Sequence, residues 1–85
     1  MAKVLVFYIY ADNCKHCESA LTILEGAIKK CKNIPCEIRK LIYNSNEAIT
    51  LAVNKNISDL PGIVIGNEVF VKECTEKQII DAINK

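Results

Sequence analysis

The stretch Tyr10–Leu21, YADNCKHCESAL, decides how the chain is read. Cys14 and Cys17 are separated by only Lys15 and His16. Ahead of them, Lys3–Tyr10 is a near-continuous apolar run, the pattern of a strand covered on both faces. Behind them the period changes. Cys14, Cys17, Leu21, Leu24, Ile28 and Cys31 recur at spacings of three and four, with Ala20 and Ala27 alongside. That spacing predicts an amphipathic helix from Cys14 to about Lys30. Asn33-Ile34-Pro35 ends it, because proline lacks an N–H and restricts the residue before it. Two thiols at a strand-to-helix junction have three readings: a redox pair, half of a metal site, or two core cysteines that fall close together.

The rest of the chain narrows the choice. Cys36–Tyr43 reads as a second strand and Glu47 to about Lys55 as a shorter helix. Ile63–Ile65 and Val69–Val71 are β-rich and flank Gly66-Asn67, a glycine-first hairpin turn. Thr75 followed three positions later by Gln78 is a capping box, which opens a last helix through Ile79, Ile80 and Ile83 in TEKQIIDAINK. The order is β-α-β-α-β-β-α, an α/β arrangement. Its first β-α-β unit implies two parallel strands joined by a right-handed crossover. The hairpin adds two antiparallel strands, giving a four-stranded mixed sheet with helices expected on both faces. With no repeats or linkers, residues 1–85 are expected to form one domain.

Composition removes other classes. At 51% hydrophobic the chain can build a core. Its net charge is +1 and its lysines are scattered, so no basic stripe tracks a phosphate backbone and nucleic acid is not an expected partner. No stretch approaches the ~18 apolar residues of a membrane span. The opening MAKVLVFYIY is too short, β-branched and aromatic for a secretory leader, so the cytoplasm is the expected location. Five cysteines are an odd count, and thiols in a reducing compartment are more often catalytic or metal-binding than structural bridges.

On this scaffold Cys14 falls in the first turn of the helix, where unpaired N–H groups and about half a positive charge favour an anion. Lys15 and His16 add nearby cations. Such surroundings lower a thiol pKa from about 8.5 into the range ~3.5–7.5. Cys17 lies one turn further on, deeper in the apolar stripe and better protected. Cys14 is thus read as the nucleophile and Cys17 as the thiol that resolves the mixed disulfide.

Here the sequence resembles the thioredoxin and glutaredoxin superfamily, whose motif is aromatic-Ala-x-x-Cys-x-x-Cys after a strand and before a helix. DLPGIVIG is the second mark, with Pro61 where that family has a cis-proline beside the redox pair. The resemblance covers the whole chain. It implies a thioredoxin fold and a thiol–disulfide oxidoreductase acting on protein disulfides or glutathione mixed disulfides. A reductase or glutathione would supply electrons, with no resident cofactor or metal and a monomeric chain. It also implies that Leu60 and Pro61 shape the substrate groove and that Tyr10 packs beside the pair. ECTE resembles the family's Cys-Ser/Thr-Asp, which makes Cys74 and Thr75 candidate substrate contacts.

The chain also departs from the family. Lys15-His16 replaces the Gly-Pro of thioredoxins and the Pro-Tyr of many glutaredoxins, and a histidine there is expected to raise the reduction potential. Tyr8 stands where thioredoxins carry a buried aspartate, so that carboxylate is not available to take a proton from Cys17. No glycine pair precedes Cys74. Tyr8 and Tyr43 are read as structural, and Cys31 and Cys36 as core residues with a second bridge between them left open.

The rival class is metal handling, since small copper chaperones also place Cys-x-x-Cys between a first strand and a first helix. Those domains run βαββαβ and end in a strand, whereas this chain ends in a capped helix. Four-cysteine zinc ligation by Cys14, Cys17, Cys31 and Cys36 fails on distance, because about fourteen helical residues at 1.5 Å each separate the pairs by ~21 Å.

Overall fold

A computed structural model of the chain describes residues 3–84; Met1, Ala2 and Lys85, the ends of the expected 1–85 domain and of its last helix, lie outside the described residues. The elements are β1 (Val4–Tyr10), α1 (Lys15–Lys30), β2 (Cys36–Ile42), α2 (Asn46–Lys55), β3 (Gly62–Ile65), β4 (Glu68–Val71) and α3 (Glu76–Ile83). The expected order is observed. The sheet order is β2-β1-β3-β4, with β1 parallel to β2 and antiparallel to β3, and β3 antiparallel to β4.

Most differences from expectation lie at element ends and have local causes. Cys14 is not in the helix but caps it, with extended backbone, and α1 begins at Lys15. α2 starts at Asn46 because the Ser45 hydroxyl accepts the Ala48 N–H at 3.2 Å. β2 ends at Ile42, although the Tyr43 N–H still donates to the Tyr10 carbonyl at 2.8 Å. At α3 the capping box forms in both directions between Thr75 and Gln78.

Strand alternation divides the sheet into two unequal faces. Val6, Tyr8, Ile63 and Ile65 meet Cys17, Ala20, Leu24, Ala27 and Cys31 of α1 and Ile79, Ala82 and Ile83 of α3 in one continuous core. Small residues at 20 and 27 let α1 sit close to the sheet, so the buried line of the helix runs through them rather than through Leu21 and Ile28, which are half-buried. Where α1 crosses α3, Gly26 leaves room for Glu76, whose carboxylate pairs with Lys30. The other face, bearing Phe7 and Ile9, is covered by α2. Cover there is thinner: Leu5 is 41% exposed, and on α2 Val53 is 71% exposed. Helices therefore lie on both faces, and on the α2 side β1 is buried at Ile9 but open at Leu5.

Candidate redox site

The chain leaves β1 through Ala11-Asp12-Asn13 and turns sharply at Asn13, whose φ of 57° is in the left-handed region that asparagine tolerates. This turn delivers Cys14 to the N-cap of α1. Its sulfur accepts the Cys17 N–H at 3.1 Å, as a capping oxygen would. Cys17 lies beneath it, 2% exposed, with a Cα–Cα separation of 5.2 Å, and the two sulfurs are joined in a disulfide. Cys14 is half-buried, so one sulfur of the pair is reachable from solvent and the other is not.

Tyr8, read from sequence as structural, belongs to this site. It is 3% exposed, and its hydroxyl donates a hydrogen bond to the Cys17 carbonyl. Its ring stacks on Tyr10, with centroids 5.5 Å apart and planes inclined by 8°. Both tyrosines line a cavity with Cys14, Cys17, Glu18 and Lys40. Burial pushes the Tyr8 phenol above its ordinary pKa, and Tyr10 and Glu18 add to the shift. The phenol therefore stays protonated and serves as a donor. The signal was present in the sequence: Tyr8 and Tyr10 are two apart on a strand and so share a face. Tyr43, by contrast, is 51% exposed and is not a core residue.

The remaining candidates fall in two grooves beyond the exposed His16. One is shared by His16, Lys72, Cys74, Thr75 and Gln78, the other by His16, Leu60, Val71, Lys72 and Glu73. Cys74 and Thr75 thus come to the same groove as His16, which lies between the two bridged cysteines in sequence. Pro61 is buried and its bond to Leu60 is cis. Its carbonyl accepts the Lys72 N–H at 3.0 Å, which ties the end of β4 to the proline. Lys72 makes that contact with a φ of 64°, a left-handed conformation that costs a non-glycine residue ~1 kcal/mol or more. Lys15 is exposed and is not among the residues lining these grooves.

Cys31, Cys36 and Cys74 are free thiols. Cys31 caps the far end of α1 and is buried. Burial raises the pKa of Cys36, with Cys31 contributing, and burial also raises that of Cys74. Among the described residues no group of three or more His, Cys, Asp or Glu side chains could hold a metal ion. The observed order ends in a helix, unlike the copper-chaperone arrangement. No helix among the described residues is long and apolar enough to cross a membrane.

No family model matches the sequence, and no curated protein matches it. Solved structures do. A thioredoxin-like protein from Clostridium perfringens superposes with a TM-score of 0.77 at 17% identity, covering 96% of this chain and 69% of that one. A malarial protein gives 0.73 at 20% identity, over 98% and 96% of the two chains. A chain in the complex of ferredoxin:thioredoxin reductase with thioredoxin f2 gives 0.60 at 21% identity, over 96% and 76%. The four-stranded order β2-β1-β3-β4, the three helices and these superpositions agree: the fold of this chain is the thioredoxin fold.

Proposed function

We propose that the chain is a thiol–disulfide oxidoreductase working through Cys14 and Cys17. One observation carries this reading: Cys14 is the N-cap of α1, its sulfur already accepts a backbone N–H, and it is bridged to a buried partner one turn inward. A thiolate at that position gains the helix dipole and a charge-assisted hydrogen bond. In the reduced protein the Cys14 thiolate attacks a substrate disulfide, forming a Cys14–substrate bond and releasing one substrate thiolate. Cys17 loses its proton and attacks the Cys14 sulfur. The Cys14–Cys17 bridge forms, the second substrate thiolate leaves, and two electrons have passed to the substrate.

Protein disulfides are the substrate class. In this reading Leu60, Pro61, Cys74 and Thr75 contact the substrate, with Tyr10 beside the pair and His16 and Lys15 tuning it. A reductase or glutathione regenerates the dithiol, and no resident cofactor is needed. One of the structural neighbours comes from a complex of ferredoxin:thioredoxin reductase with thioredoxin f2, which supports protein partners for this chain. The working unit is a single-domain monomer in the cytoplasm.

Insulin reduction in the presence of dithiothreitol tests the activity, and a Cys17→Ser variant tests the pathway. That variant should accumulate a mixed disulfide through Cys14. Equilibration with glutathione buffers gives the potential, and His16 predicts a value above the about −270 mV of thioredoxin. If the Cys14→Ser variant reduced insulin as fast as the parent, the assignment of the attacking thiol would be wrong.

A further inference from the structure

The two sulfurs of the bridge are anchored differently. Cys14 follows the exposed residues Asp12 and Asn13 and reaches the cap through the left-handed turn at Asn13. Cys17 is 2% exposed and belongs to the core under α1. Its backbone is pinned at both ends: the N–H donates to the Cys14 sulfur at 3.1 Å, and the carbonyl accepts the Tyr8 hydroxyl. The first bond depends on where Cys14 lies. The second does not, because Tyr8 stands in the middle of β1, the strand paired on both sides, opposite Lys40 of β2 and Ile63 of β3. Its ring is buried and stacked on Tyr10, so the hydroxyl is a fixed point of the sheet that reaches the first turn of α1. Burial keeps the phenol neutral and its hydrogen available. A phenylalanine would fill the same space without burying a polar group, so core packing alone does not account for that hydroxyl.

We propose that Tyr8 is the positioning residue for Cys17: its hydroxyl keeps the resolving thiol in place when the bridge opens, so that the separation of the two sulfurs falls on the Cys14 side. This rests on the dithiol reading given above. In the oxidised protein the covalent bond already holds Cys17. In the mixed disulfide that bond is gone, and the contact between the Cys17 N–H and the Cys14 sulfur lengthens as Cys14 turns to the substrate. The Tyr8 bond stays. Resolution then runs from a fixed sulfur. The Cys17 thiol gives its proton to water or buffer, and the thiolate attacks the Cys14 sulfur. The Cys14–Cys17 bond forms while the Cys14–substrate bond breaks. The departing substrate thiolate carries away the electron pair and takes a proton from solvent. Holding the attacking sulfur beside its target lowers the entropic cost of this step. The earlier attack by Cys14 draws nothing from that restraint. Loss of the hydroxyl should therefore slow closure and weaken the closed bridge while sparing the first attack.

The test uses the reduced full chain with equimolar 5,5′-dithiobis(2-nitrobenzoate), whose thiol product absorbs visible light. All proteins compared carry Cys31→Ser, Cys36→Ser and Cys74→Ser so that only the pair reports. The first release of product follows attack by Cys14; the second follows resolution by Cys17. A parent with no second release lacks a working dithiol, and that outcome overturns the proposed function itself. With both phases present, Tyr8→Phe should leave the first within about twofold and slow the second about fivefold, the factor for one hydrogen bond of ordinary net strength. Its equilibrium constant for closing the bridge against glutathione should fall by a similar factor. Ile79→Val, a loss of core packing on α3, should lower the melting temperature and leave the ratio of the two phases at the parent value. A Tyr8→Phe variant whose phases match the parent overturns the assignment, and so does one that slows both phases alike or an Ile79→Val variant that shifts the ratio as far. Proton NMR of the parent gives a reading that needs no variant. The Tyr8 hydroxyl proton should be protected from exchange in both redox states, and loss of that protection on reduction also overturns the proposal.

Discussion

The two ends of α1 carry the same chemical group in opposite settings. At the N-terminal end Cys14 and Cys17 are bridged, with Cys14 as cap and a backbone N–H on its sulfur. At the C-terminal end Cys31 is also a cap, buried and free, with Cys36 nearby at the start of β2. The dipole that favours an anion at the first end repels one at the second. Burial and the neighbouring Cys31 push the Cys36 thiol up, away from the reactive range. Under the proposed function, reactivity would follow from where a sulfur sits on the helix, not from the number of thiols or their closeness in sequence.

The largest effect should come from exchanging oxygen for sulfur at the two ends. Cys14→Ser is expected to lower insulin reduction by at least about 10²-fold, because a hydroxyl at its ordinary pKa is a weak nucleophile. Cys31→Ser and Cys36→Ser should stay within about twofold of the parent in the same assay, because their thiols are not the reacting ones. If either matched the loss at Cys14, the contrast between the ends would fail.

The next effect tests the helix that joins them. Leu24 lies midway along α1, fully buried between sheet and α3. Leu24→Ala should cost about 2–5 kcal/mol in urea unfolding, through lost transfer energy and the cavity left behind. Val53→Ala, at a site 71% exposed on the thinly covered face, should change stability by under about 0.5 kcal/mol. Similar costs at the two positions would mean that the α1/α3 core does not dominate.

A smaller difference should appear in alkylation of the reduced protein by iodoacetamide, mapped by mass spectrometry as pH rises. Cys14 should react first. Cys36 and Cys74 should follow only under more alkaline conditions, because burial raises both thiols and keeps them protonated for longer. The sign for folding follows from the same shifts. A thiol held above its unfolded pKa contributes stability that is present below the ordinary thiol range and is lost as pH climbs through the folded value. Equal labelling of all sites at neutral pH would contradict this.

The smallest expected effect is at Gly26, where an added methyl would meet the Glu76 carboxylate at 2.9 Å. That oxygen ends a flexible side chain and can swing aside, and alanine in a helix interior is worth up to about 1 kcal/mol over glycine. Gly26→Ala should therefore be neutral or stabilising by up to about 1 kcal/mol, measured by thermal unfolding. A loss of more than about 1 kcal/mol would show that the Lys30–Glu76 pair holds the helix crossing more firmly than an exposed ion pair should.

Much of the fold was legible because its signals are local. The change of period after Tyr10, the Gly66-Asn67 turn and the Thr75–Gln78 capping box each act within a few residues, and each element formed within a residue or two of its expected bounds. The cap at Ser45 is equally local and places the start of α2 one residue before the expected Glu47. Tyr8 is structural, as its reading from the sequence has it, but one part of that role is not written locally. Its identity and face were readable, but its partner, the carbonyl of Cys17, was not.

By itself the sequence determined the order of elements and the place of a Cys-x-x-Cys pair at the start of a helix, because hydrophobic period and caps are written in neighbouring residues. Tertiary structure alone decided that a tyrosine hydroxyl supports Cys17, that Lys72 takes a left-handed turn to reach Pro61, and that Cys74 shares a groove with His16. Those meetings depend on strand pairing and on how closely α1 settles onto the sheet. Such contacts join residues far apart in the chain, and no local spacing encodes them.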